Sequence, residues 1–206
     1  VFGNDCVASG VETFAAGDDN TASGDNSAAF GKDNIVSGEF GFVANAENDV
    51  SASYASAFGR ENLASGWYSF AAGRGCTSSN TSTFAMGVNA EASGYLAFAY
   101  GNETLADGED AFAVGDSAQA RSHNTIAMGK SSYAYSDDAV AIGHDAYAIN
   151  VKAVGIGYNS GGLGQFSLAA GNGTLATGNY SSAFGKDTRA IGISSVAIGD
   201  GAIANG

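Results

Sequence analysis

Proline is absent from this 206-residue chain, and cysteine, methionine and tryptophan together number five: two, two and one. Without proline, the 31 glycines are not half of a Pro/Gly-rich linker. Basic residues are scarce as well, eight against 21 acidic ones, for a formal charge of -13. A phosphate backbone needs a basic face, so this balance excludes nucleic acid as a partner. No apolar run reaches the length of a membrane span, and no basic-plus-apolar leader is present, so the segment is not expected to insert into a membrane. HExxH, GxSxG and P-loop patterns are missing, and His123 and His144 stand beside polar residues without a neighbouring nucleophile. The chain therefore reads as non-enzymatic, with no cofactor.

What the chain has is a period. Positions 3, 17, 31 and onward to 199, spaced by 14 without an insertion, are glycine at fourteen of fifteen places. The exception is Asn45, the residue after glycine that best tolerates a left-handed backbone. Seven residues later runs a second column that includes Gly10, Gly24, Gly38, Gly66, Gly94, Gly108, Gly164, Gly178, Gly192 and Gly206. The two columns hold 24 of the 31 glycines, which makes glycine structural punctuation. Self-similarity over the whole length predicts a repeat protein, one elongated domain over 1–206. Two turns per 14 residues leave segments of about five residues, long enough for short strands and too short for helices.

With the main glycine numbered zero, side-chain alternation assigns the faces. Positions -4 and -2 (Ser27 and Ala29, Thr83 and Ala85) and positions +3 and +5 (Ala90 and Ala92, Ala118 and Ala120) are small. They are predicted to face each other inside a flat coil. Positions -3 and -1 then point outward, yet they carry Phe14, Phe30, Phe42, Phe58, Phe70, Phe84, Phe98, Phe112, Ile126, Ile142, Ile156, Phe184 and Ile198. The two columns compensate in volume: small Ala28, Ser56 and Ser182 accompany Phe30, Phe58 and Phe184. At ~4.8 Å per stacked strand the stripe is expected to extend some 70 Å. A soluble monomer rarely exposes that much contiguous apolar surface, so the stripe is expected to be the core of an oligomer.

Other columns carry weaker signals. Serine occupies +6 from Ser9 through Ser93 and is expected to face water, and it lacks the TxT arrays of an ice-binding plane. Asp5, Asp19, Asp33, Glu47 and Glu61 stack at +2, which admits calcium as well as a solvated acidic edge. Asn20, Asn34, Asn48 and Asn62 make a structural amide ladder at +3. Cys6 and Cys76 share that column five repeats apart, about 24 Å at ~4.8 Å per strand, beyond the roughly 7 Å that a disulfide spans. Four N-x-S/T sequons arise readily in turns of this composition. Phe40, Tyr54 and Tyr68, with Trp67, gather at one corner. Tyr133, Tyr135, Tyr147 and Ile149 lie on the otherwise polar outer face of the second strand and are the candidate ligand-binding residues.

The segments "SSVAIGDGAIANG", "DAVAIGHDAYAIN", "YSSAFGKDTRAIG" and "NTIAMGKSSYAYS" resemble the repeats of YadA-like head domains of trimeric autotransporter adhesins from Gram-negative bacteria. The resemblance runs the length of the chain. It implies an all-β, left-handed parallel β-roll of 14-residue coils with two short strands each, assembling as a trimer through the "VAIG" strand. It also implies display on the cell surface and binding to extracellular matrix or cell-surface ligands. The chain departs from the family in its heavy use of phenylalanine at the trimer core. No cap, stalk or membrane anchor is recognised within 1–206, so anchoring in the outer membrane is expected to fall to other parts. The alternative is a structural subunit of an extracellular filament built by end-to-end stacking of coils.

Overall fold

The computed structural model describes residues 1–206 as strands, bends and turns, without a helix. The chain divides into two compact units, Val1–Glu103 and Thr104–Gly206, each built from the same coil. In the first unit a five-residue strand such as Phe14–Asp18 is followed by a two-residue strand, Thr21–Ala22. Each pairs in parallel with its equivalent one repeat on: Phe14 with Ala28 and Gly17 with Gly31, Thr21 with Ile35 and Ala22 with Val36. The second unit repeats the arrangement, Val154–Tyr158 pairing with Leu168–Asn172 and Leu175–Ala176 with Arg189–Ala190. Two of its first strands, Ile126–Met128 and Val140–Ile142, are shortened to three residues. The fold is an all-β parallel solenoid of 14-residue coils.

Alternation and small side chains explain the interior. Ala15, Ala29, Ala57 and Ala71 at -2 and Ala22, Ala64, Ala92 and Ala106 at +5 are fully buried. The two sheets lie so close that the largest fully buried side chains are valine, asparagine and threonine. Volume is traded within that layer too. Val36, Val43 and Val50 cluster where position -4 is Gly41, and a Cβ on Gly41 would stand 2.6 Å from Val36 Cγ1 and 3.1 Å from Val50 Cγ1.

The main glycine is not a turn residue, contrary to the sequence reading. Gly17 is the fourth residue of the strand Phe14–Asp18, with φ +123°, and a Cβ there would strike the carbonyl oxygen of Gly31 in the next coil. Asn45 fills the same place at φ 88°. The left-handed turns fall two residues later, at +2 and +9: Asp19 at φ 53° and Asn26 at φ 57°, then Asp33 at 54° and Phe40 at 54°. Asp and Asn tolerate this region better than most non-glycine residues, which accounts for Asp5, Asp19 and Asp33; Glu47 and Glu61 adopt the same conformation, at φ 57° and 60°, without that preference. Glycine at Gly75, Gly173 and Gly201 serves the same position.

Buried polar groups are tied to the coil-to-coil contact. Asn34 Nδ2 donates to Phe30 O at 3.1 Å, to Asn45 O at 2.8 Å and to Asn20 Oδ1 at 2.9 Å. Asn48 and Asn62 repeat the pattern. The ladder is bounded by the two cysteines. Asn20 Nδ2 points to Cys6 Sγ at 3.8 Å, and Cys76 donates its backbone N–H to Asn62 Oδ1 at 2.9 Å. Both cysteines are free, and burial raises the Cys76 thiol above its ordinary pKa. In the second unit hydroxyls serve the same column, Ser160 Oγ donating to Gly171 O at 2.8 Å and Thr188 Oγ1 to Gly199 O at 3.0 Å.

Candidate functional site

Three outward surfaces carry side chains beyond what the coil needs. The first is the outer face of the five-residue strands. In the first unit its phenylalanines form one unbroken ring ladder. Phe14 and Phe30 stand 5.2 Å apart, Phe30 and Phe42 5.7 Å, Phe42 and Phe58 5.4 Å, and Phe58 and Phe70 5.6 Å. Phe70, Phe84 and Phe98 continue it, nearly parallel, at 4.7 and 5.0 Å. The ladder crosses between columns -1 and -3 without a gap as far as Phe70, because Ala16, Ala28, Ala44, Ser56 and Ala72 occupy the places the rings vacate; beside Phe84 and Phe98 column -1 carries Met86 and Tyr100. Phe14 and Phe30 remain 37% and 38% exposed, and Phe42, Phe58, Phe70, Phe84 and Phe98 are half-buried. In the second unit Phe112, Ile126, Ile142 and Phe184 are half-buried on the same face, and Ile156 and Ile198 are exposed.

The second surface is the corner at +9. Phe40, Tyr54 and Tyr68 stack at 4.9 and 5.0 Å with interplanar angles of 11° and 14°. Phe166 and Tyr180 make a matching pair at 5.1 Å, and Lys152 Nζ lies 5.4 Å from the Phe166 ring centre. Each ring sits on a left-handed residue, a place that favours Asn or Gly. Stacking with the equivalent ring one coil away offsets part of that cost.

The third surface, on the outer face of the two-residue strands in the second unit, holds the tyrosine group read from the sequence. Tyr133 and Tyr135 stack at 5.7 Å, and Tyr147 lies in register beside Tyr133 on the next strand. Tyr135 alone of the four lines an open depression of about 440 Å³. Tyr133, Tyr147 and Ile149 adjoin it as half-buried neighbours on the same face. The other lining residues were not identified from the sequence: Asp107, Arg121, Ser122, Ser136, Asp137 and Val151. They come from four successive coils, so no linear motif joins them. The signal was nonetheless present. The serine column at +6 stops at Ser93 and is replaced by Asp107, Arg121, Tyr135 and Ile149.

Arg121 is held on three sides. Its Nε donates to Gln119 Oε1 at 2.9 Å, Nη1 lies 3.9 Å from Asp107 Oδ2, and the guanidinium stands 5.8 Å from the Tyr133 ring centre. Asp137 accepts a short hydrogen bond from Ser122 Oγ, and His123 Nδ1 lies 3.5 Å from the same oxygen. The Ser122 hydroxyl, and after it the His123 imidazole, hold the Asp137 carboxyl below its ordinary pKa. His123 Nε2 faces Glu109 at 3.3 Å. Ser122 gives its proton to the carboxylate and not to the imidazole, so these three side chains are not wired as a nucleophile and its base.

The YadA head domain repeat matches residues 8–34, 106–132, 120–146, 134–160, 163–188 and 190–206. Together these stretches cover more than half of the chain. This protein belongs to the YadA head domain family. The family is one of adhesin heads and not of enzymes. Between 35 and 105 no repeat is matched, yet the YadA-head coil continues there in the same register: Phe42 pairs with Ser56, and Ser56 with Phe70. That stretch holds most of the phenylalanine ladder and half of the asparagine ladder, Asn48 and Asn62. The side chains have diverged while the coil has not. A comparison with curated proteins returned no match.

Proposed function

We propose that this YadA head is a non-enzymatic adhesin displayed at the bacterial surface, working as a homotrimer that attaches the cell to extracellular matrix, host cells or other cells. The observation that carries the proposal is the ring ladder on the outer face of the five-residue strands. A run of half-exposed phenylalanines from Phe14 to Phe98, continued as a class by Phe112, Ile126, Ile142, Ile156, Phe184 and Ile198, needs a partner surface of the same kind. Other copies of this chain supply one, since each repeat carries the stripe at the same height. The two-residue strands then face outward from the assembly, and the tyrosine group on them is left open to a ligand.

Light scattering on the purified chain tests this reading. A mass of three chains is expected, and Phe84→Asp is expected to leave the coil folded by circular dichroism while releasing monomers. A wild-type chain that stays monomeric at micromolar concentration would overturn the trimer.

A further inference from the structure

The depression beside Tyr135 has a composition that selects among ligands. Three columns of successive coils meet there, and they bring hydrogen-bond donors and acceptors within one coil spacing of each other. Arg121 supplies N–H donors in a fixed orientation, because Gln119 and Asp107 already hold two of its edges. Asp137 supplies an acceptor. Ser122 Oγ and His123 Nδ1 both approach Oδ1, and a carboxylate with two oxygens has acceptor sites beyond those they use. Ser136 adds a hydroxyl that itself donates to Ile149 O at 2.7 Å and so presents its lone pairs. Against this polar wall stands the Tyr135 ring, 52% exposed. The volume of about 440 Å³ falls within the roughly 300–1,000 Å³ of small-molecule sites.

Charge narrows the choice. Asp107 and Asp137 outnumber Arg121 within the walls, Glu109 lies just outside, and the whole chain carries -13. An anion would meet a field of its own sign. A simple cation would meet the Arg121 guanidinium, a charge of its own sign, in the same wall. A hydroxyl is donor and acceptor at once, so adjacent hydroxyls pair with the carboxylate and the guanidinium together. An apolar ring face with a polar perimeter matches the tyrosine beside them.

We propose that this depression is a binding site for a neutral saccharide, with the apolar face of one pyranose on Tyr135 and vicinal hydroxyls shared between Asp137 and Arg121. The proposal rests on the reading of the chain as an adhesin head and names the class of its ligand. The outer face of the two-residue strands stays open in a trimer formed through the opposite sheet, so three such sites are available for multivalent capture of a glycan-coated surface.

The test is an array carrying neutral galactosides, mannosides and N-acetylglucosaminides beside sialylated and sulfated glycans and collagen-type peptides, probed with the full chain. Affinities of the hits follow by calorimetry for wild type, Tyr135→Ala and Asp137→Asn. Binding to neutral glycans is expected, weakened about tenfold or more in each variant, a loss of about 1.4 kcal/mol or more. Light scattering is expected to match wild type for both variants and Tyr135→Ala to melt as wild type, whereas Asp137→Asn is expected to stay folded with a slightly lower melting temperature, because the carboxylate it removes is held by Ser122 and His123. No neutral glycan bound, signal from anionic glycans or peptides alone, or unchanged affinity in both folded variants would each overturn the saccharide assignment. A trimer that binds only peptide leaves the adhesin reading standing, whereas a monomer that binds neutral glycans removes the trimer and keeps the site.

Discussion

The side-chain amide of Asn34 donates to Asn20 Oδ1 at 2.9 Å, one coil away, and its own Oδ1 accepts from Asn48 Nδ2 at 3.0 Å. The same Nδ2 reaches Asn45 O at 2.8 Å, the carbonyl at the main-glycine position of the next coil. Every polar atom of this buried side chain is therefore satisfied by a neighbour at fixed height, which locks the stacking register. Removing it orphans groups on both sides. Asn34→Ala is expected to cost about 3 kcal/mol in urea unfolding. Asn34→Thr should cost clearly less, because threonine at the equivalent Thr188 still donates to the glycine-position carbonyl.

The phenylalanine ladder gives a coupled pair. Phe58 is flanked by Phe42 and Phe70, and Ser56 occupies the vacated place in column -3. Ser56→Phe alone crowds the layer and Phe58→Ala alone opens it, each destabilising by about 1–3 kcal/mol. The double variant moves the ring into line with Phe42 and Phe70, as Phe84 already stands between Phe70 and Phe98. It is expected to recover most of the loss, with a coupling energy of about 1–2 kcal/mol in a double-mutant cycle.

Leu96 sits at φ 56° in a +9 turn and is 46% exposed. A left-handed backbone costs an ordinary residue about 1–2 kcal/mol, and asparagine less. Leu96→Asn is expected to stabilise the protein and raise the melting temperature by a few degrees, measured by calorimetry. The substitution exchanges a hydrophobic residue for a polar one, so a gain would be hard to attribute to anything but the turn.

The carboxyl of Asp137 is held below its ordinary pKa, first by the Ser122 hydroxyl and then by His123. A carboxyl depressed on folding adds stability above its unfolded value and loses it as pH falls through the folded one. Carboxyl NMR titration is expected to place Asp137 below the ordinary aspartate value. In Ser122→Ala its midpoint should rise toward that value.

Much of this architecture is legible in the sequence because a solenoid reuses one local solution. The 14-residue frame, the four inward columns of small residues and the outward phenylalanine stripe all follow from period and alternation, since each coil meets the same neighbours above and below. Two things are not local. The backbone path places the left-handed residues at Asp19 and Asn26 and leaves Gly17 inside a strand, where the contact with Gly31 excludes a side chain. No count of glycines separates a residue needed for its φ from one needed for close approach. The depression beside Tyr135 likewise depends on walls from several coils. Arg121 and Asp137 are sixteen residues apart in the chain and face one cavity only because stacking sets each coil at the next level. The period determined which residues share a column; the tertiary structure decided which columns meet at a ligand-sized space.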